Sequence, residues 1–235
     1  MKKRVTELQL TSSQEARYFL LSLSKISTLE IEKTLDLLNT DDIDKAMKFI
    51  FQKDRDRSLL VYAMTKTILG NILGKTPSSL SFSRNEFGKP FLSGHPLQFN
   101  LSHAGDYALL GFHADKPIGV DIEKTDANIS PDSFLHPPEK KWLLHSALLH
   151  STCLPQEGLF QLWSAKEAYV KALGIGFSGS MPILETICTN SQEGVVYFIA
   201  RLSRKFPSLV VKVYDKIVKN YKLATCINNE CEYDF

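Results

Sequence analysis

The stretch Leu162-Trp163-Ser164-Ala165-Lys166-Glu167-Ala168-Tyr169-Val170-Lys171-Ala172-Leu173-Gly174 constrains the fold of this chain more than any other. Its apolar residues recur at helical spacing, and Gly174 stands where a helix ends in a left-handed residue. Stepping about 100° per residue puts Leu159, Leu162, Trp163, Tyr169, Val170 and Leu173 on one buried arc, with Lys166 in its middle. Glu167 falls at the edge of that arc and Lys171 one turn further on, so an acid and a base share the line where core meets solvent. These residues read either as a surface Glu–Lys pair beside a snorkelling lysine or as the wall of a site.

A second stretch, Ile118-Gly119-Val120-Asp121-Ile122-Glu123, alternates like a strand, so Asp121 and Glu123 project from one face while Ile118, Val120 and Ile122 bury the other. Two carboxylates side by side repel unless a cation joins them, and as oxygen ligands they suit Mg²⁺; the alternative is a solvated edge strand.

Elsewhere, residues 1 to 50 mix short helical patterns with acidic turns, and a helix runs from Arg55 to Gly74 with Arg57 in its first turn. The loop Arg84-Asn85-Glu86-Phe87-Gly88-Lys89-Pro90 presents two cations. His103 ends the run Gln98 to His103 beside a glycine turn, before the short buried strand Tyr107–Phe112. Glu139 suits the first turn of a helix opened by Pro137 and Pro138. Val195–Leu202, Leu209–Val213 and Tyr221–Ile227 read as a three-stranded antiparallel meander. Both halves run helix then strands, which suggests a duplicated α+β unit without a letter-by-letter repeat.

A length of 235 residues with 43% hydrophobic residues favours one body made of two subdomains. A net charge of +2 does not describe a general polyanion binder, so nucleic acid is not an expected partner. No stretch approaches a membrane span, and the basic start Met1-Lys2-Lys3-Arg4 lacks the apolar run of a signal peptide, so a cytoplasmic protein is expected. The cysteines at 153, 188, 226 and 231 lack paired metal spacing and are read as reduced thiols.

Taken together, Phe87-Gly88-Lys89-Pro90, Asn100-Leu101-Ser102-His103, Gly119-Val120-Asp121-Ile122-Glu123 and Trp163 to Lys171 resemble, in order and spacing, the signature of the surfactin-type 4′-phosphopantetheinyl transferases. The resemblance implies a Mg²⁺-dependent enzyme that moves phosphopantetheine from coenzyme A to a serine of an apo acyl or peptidyl carrier protein, releasing adenosine 3′,5′-bisphosphate. It implies an α+β fold of two similar subdomains, residues 1–118 and 119–235, related by a pseudo-twofold axis, each a small antiparallel sheet packed with helices. Coenzyme A would lie in the cleft between them.

By the same resemblance Asp121, Glu123 and Glu167 are the metal ligands, and Glu167, Lys171 and Asp121 carry the catalysis, with Glu167 also the candidate base. Lys53, Arg57, Arg84, Lys89, Ser102, His103 and Lys171 are the expected coenzyme A contacts. Lys45, Lys48 and Lys53 match the family's other basic residues only loosely. Ile175, Phe177 and Met181 fall in its carrier-docking region. Since the duplicated halves complete one site, a monomer is expected. Lys166 is expected to pair with a buried carboxylate and set its helix against the first half. Two other readings use the same residues: a non-catalytic coenzyme A or carrier-binding module, and a metal-dependent phosphodiesterase.

Overall fold

The computed structural model describes residues 4–10, 15–126, 129–130, 134–149, 155–176 and 184–228. The elements that matter for the site begin with strands β1 (Val5–Leu8) and β2 (Ala16–Ser22) and helices α1 (Thr28–Leu35), α2 (Thr40–Met47) and α3 (Gln52–Leu73). A hairpin of β3 (Phe82–Arg84) and β4 (Pro90–Leu92) precedes β5 (Gln98–Ala104), β6 (Tyr107–His113) and β7 (Ile118–Lys124). Helices α4 (Pro137–Leu149) and α5 (Pro155–Leu173) and strands β8 (Glu185–Gln192), β9 (Val195–Arg201), β10 (Leu209–Tyr214) and β11 (Tyr221–Ile227) complete the described chain.

Two larger antiparallel sheets result, ordered β1-β2-β6-β5 and β7-β11-β10-β9-β8. In each, a strand leads through helices to a hairpin whose second strand returns beside the first: β2, α3, β5 and β6 in one half, and β7, α5, β10 and β11 in the other. This repeated order fits two similar subdomains about a pseudo-twofold axis. The first core joins Leu60, Met64 and Leu69 of α3 to Phe19, Phe99 and Phe112, and the second joins Leu162, Ala165 and Tyr169 of α5 to Phe198, Val211 and Val213. Burying a large apolar side chain of this kind contributes about 1.5–3 kcal/mol. A third cluster of Tyr18 and Leu109 with Val120, Ile122 and Leu223 welds the two sheets.

The duplication reaches individual residues once the helices are aligned on their left-handed caps, Gly74 and Gly174. Lys66 and Lys166 then coincide, and both are fully buried. Lys66 pairs with Asp42 of α2, and the Lys166 ammonium stands 2.8 Å from Glu139 of α4. Both acids also accept a backbone N–H from three residues earlier, Asn39 at 3.3 Å and His136 at 2.8 Å. Each half thus ties its long helix to the first turn of the preceding helix through one buried ion pair. Lys166 does pair with a buried carboxylate, but that carboxylate belongs to the second half, so the contact with the first half expected for it is not the one it makes.

Other departures have physical causes. The segment expected to be short helical patterns opens with β1 and β2, because the run Ala16–Ser22 finds its partner far away in β6. The three-stranded meander is extended on both sides into a larger sheet, since the polar β8 pairs with β9, and β7 pairs with β11. The described cysteines, Cys188 and Cys226, are free thiols; Cys153 and Cys231 lie outside the described residues. No helix among the described residues is long and apolar enough to cross a membrane.

Candidate active site

Helix α5 lies directly on β7. A Cβ at Gly119 would stand 1.9 Å from the Ala168 carbonyl oxygen and 2.4 Å from the Ala172 nitrogen, so glycine, with small residues above it, lets the two backbones meet. Burial covers almost the whole circumference of α5, leaving Trp163, Glu167 and Lys171 as a partly exposed strip four residues apart. Trp163 packs partly buried against the second core, as the helical spacing predicts, and also presents its indole N–H to the site.

That strip faces the two acids of β7. The buried Asp121 carboxylate accepts at Oδ1 from Lys171 Nζ at 2.7 Å and from Ser102 Oγ at 2.9 Å, while Lys171 also donates to Ser102 Oγ at 3.0 Å. Lys171 Nζ stands 3.4 Å from Glu167 Oε2, and the Trp163 indole N–H donates to Glu123 Oε1 at 3.0 Å. Burial pushes Glu167 up to about 7, with Lys171 pulling against it and Asp121 adding to it. Burial and then the Asp121 charge push Glu123 up to about 7 as well. Burial opposes the Lys171 ammonium, but Asp121 and Glu167 outweigh it, and its pKa stands above lysine's ordinary value.

Among the described residues no group of three or more His, Cys, Asp and Glu side chains is arranged to hold a metal ion, and Lys171 bridges Asp121 and Glu167. The donor set nevertheless suits a hard divalent cation. Asp121 Oδ2 is buried with no hydrogen-bond partner among the described residues, and two neighbouring glutamates are raised because burial and like charge outweigh the positive charge nearby.

The first half supplies the opposite wall. Val120 N–H donates to Asn100 Oδ1 at 2.9 Å, which fixes β5 against β7 and brings Ser102 to Asp121. A hollow of about 300 Å³ is lined by Glu167 and Lys171 from one half and Tyr62, Arg84 and Lys89 from the other. A second, of about 200 Å³, shares Tyr62, Arg84 and Leu101 with it and adds Lys45, Phe49 and His103. Packing around the imidazole, then the Lys171 and Arg57 charges, lower the pKa of His103. Arg57 donates to Asp106 Oδ1 at 2.7 Å, holding α3 to the β5–β6 turn. Lys53 is exposed on the first turn of α3, outside both linings. The Lys89 ammonium donates to the carbonyls of Ile118 at 3.0 Å and Ala172 at 3.2 Å. Ile175 packs on the second core, and Phe177 and Met181 lie outside the described residues.

Sequence reasoning missed the parts played by Trp163, Tyr62 and Asn100. For Trp163 the signal is present in its four-residue spacing from Glu167; Asn100 stands in the Asn-Leu-Ser-His motif, but its bond to Val120 comes from a distant strand, and for Tyr62 nothing local marks it.

Residues 117–226 match the family described as the 4′-phosphopantetheinyl transferase superfamily, and residues 25–114 match the 4′-phosphopantetheinyl transferase N-terminal family. The chain is 30% identical over 185 residues to 4′-phosphopantetheinyl transferase gsp of Aneurinibacillus migulanus, covering 77% of this chain and 72% of that protein. It is 28% identical over 205 residues to 4′-phosphopantetheinyl transferase Sfp of Bacillus subtilis, covering 86% and 87%. An L-aminoadipate-semialdehyde dehydrogenase-phosphopantetheinyl transferase of Xenopus laevis is 28% identical over 150 residues, covering 58% and 49%.

Proposed function

We propose that this chain, which belongs to the 4′-phosphopantetheinyl transferase superfamily, moves phosphopantetheine from coenzyme A to a serine hydroxyl of an apo acyl or peptidyl carrier protein, releasing adenosine 3′,5′-bisphosphate. It does so as a monomer in the cytoplasm. The observation that carries this reading is the meeting of Asp121, Glu123, Glu167 and Lys171 beside a hollow lined by both halves.

Glu167, lifted to about 7, is poised to take the proton from the carrier serine near neutral pH. As that proton leaves, the serine oxygen bonds to the phosphorus of the pantetheine phosphate, and the bond from phosphorus to the bridging pyrophosphate oxygen breaks. Lys171, held in place by Asp121 and Ser102, neutralises the charge that collects on the departing phosphate. Asp121, Glu123 and Glu167 are the residues that would hold Mg²⁺, which when bound supplies charge neutralisation at the pyrophosphate. Arg84, His103 and Lys45 line the wall where the nucleotide end of coenzyme A is accommodated. Arg57, whose charge reaches His103, adds positive charge near that end.

Asp121→Ala, Glu123→Ala and Glu167→Ala are each expected to lose Mg²⁺-dependent release of adenosine 3′,5′-bisphosphate while keeping the native circular dichroism. Normal release by all three would remove the carboxylate site from the account.

A further inference from the structure

The loop from Arg84 to Lys89 belongs to the first half, yet its contacts end on the second. Asn85 shapes it, accepting at Oδ1 from Phe87 N–H at 3.1 Å and Lys89 N–H at 2.9 Å, while Gly88 takes the left-handed φ of +85° that the turn requires. Arg84 anchors its base, donating to Tyr62 of α3 and to the Gly88 carbonyl. From this rigid loop, Asn85 Nδ2 donates to the Gly174 carbonyl at 2.6 Å and Lys89 Nζ to the carbonyls of Ile118 and Ala172. The fit is close: a Cβ on Gly174 would stand 3.1 Å from Asn85 Nδ2 and 3.2 Å from Lys89 Cδ.

Those carbonyls are placed with consequence. Ile118 is the first residue of β7, three before Asp121, and Ala172 is in the last turn of α5, one after Lys171. The Ala172 carbonyl is one of the helix-terminal acceptors that have no partner inside the helix, so an ammonium there is favoured by the helix dipole as well.

We propose that Lys89 is a positioning residue, whose single ammonium locks the strand carrying Asp121 and Glu123 to the helix carrying Glu167 and Lys171, and that it is not a contact for the phosphates of coenzyme A. A cation committed to two carbonyls at hydrogen-bond distance is poorly placed to serve an anion. Burial, which pushes the Lys89 pKa down to about 8, fits a side chain enclosed between the halves. The kinetic consequence rests on the transferase reading; the structural consequence does not.

The test compares wild type with Lys89→Met and Asn85→Ala, which cuts the neighbouring tie to Gly174 and carries the same readouts should Lys89→Met fail to fold. Hydrogen exchange should rise in peptides covering 118–121 and 170–174, and the coenzyme A dissociation constant, measured by calorimetry, should stay within about twofold. If the transferase reading holds, kcat falls by about 100-fold, the scale of a 1 Å misplacement, with KM for coenzyme A little changed. Coenzyme A affinity weakened about tenfold, with exchange at 118–121 and 170–174 unaltered, would identify a phosphate contact and overturn the proposal. Unaltered exchange and unaltered kcat would overturn it equally. Raised exchange in a protein whose wild type transfers nothing would uphold the clamp and remove the transferase reading alone.

Discussion

The Lys171 ammonium lies 2.7 Å from an oxygen of the buried Asp121 carboxylate, joining α5 to β7 at the point where the acidic residues gather. Lys171→Met would leave Asp121 buried without its counter-charge. Because the Lys171 side chain keeps 26% exposure, the cost should fall at the low end of the about 3–5 kcal/mol typical of a broken buried pair. Urea unfolding measures it: the midpoint should drop with the slope unchanged. A midpoint equal to wild type would mean that the pair carries no stability.

Gly119 tests the packing that brings the carboxylates together. With only 1.9 Å between the place a methyl group would take and the Ala168 carbonyl oxygen, Gly119→Ala must push α5 away from β7. Overpacking of this kind costs about 1–3 kcal/mol or more and should displace Glu167 from Asp121 and Glu123. The expected outcome is a folded but less stable protein with little transfer activity, read by thermal melting and turnover together. Wild-type behaviour in both would contradict the close approach of helix and strand.

The buried pairs Lys166–Glu139 and Lys66–Asp42 predict strong coupling. Lys166→Met and Glu139→Gln should each destabilise by about 3–5 kcal/mol, and the double variant should lose much less than the sum. Additive losses in a double-mutant cycle would show that the two side chains do not sense each other.

The glutamates set a pH dependence. Burial lifts Glu123 and Glu167 from 4.5 to about 7, so between those values the folded protein holds protons that the unfolded chain has released. The stability they contribute is complete below pH 4.5 and is lost as the pH rises through about 7. Metal ligands must be deprotonated, so Mg²⁺ should raise the melting temperature more at about pH 8 than at about pH 5.5. Equal shifts at both values would count against these residues as ligands.

Much of this arrangement is legible in the residues themselves. The α5 pattern, its end at Gly174 and the strand Ile118–Glu123 follow from local periodicity, and the misplaced Lys166 correctly signals a buried counter-charge. What local pattern cannot carry is partner choice over distance. Ala16–Ser22 is an apolar run whose strand identity comes from β6, and Glu139 looks like a first-turn acid until Lys166 reaches it from another helix. The internal repeat is hidden for the same reason: Lys66 and Lys166 match in place, but Thr67 and Asn71 stand where the second half has Glu167 and Lys171, so the halves share a framework while their charged residues differ.

The most direct measurement incubates the purified chain with coenzyme A, Mg²⁺ and a panel of apo acyl and peptidyl carrier proteins, and weighs each carrier by intact-protein mass spectrometry. At least one carrier is expected to gain one phosphopantetheine on its serine, with one adenosine 3′,5′-bisphosphate released per transfer and none gained with Glu167→Ala. If no carrier gains that mass while a known transferase modifies the same panel, or if coenzyme A is cleaved without any carrier present, the central claim is contradicted.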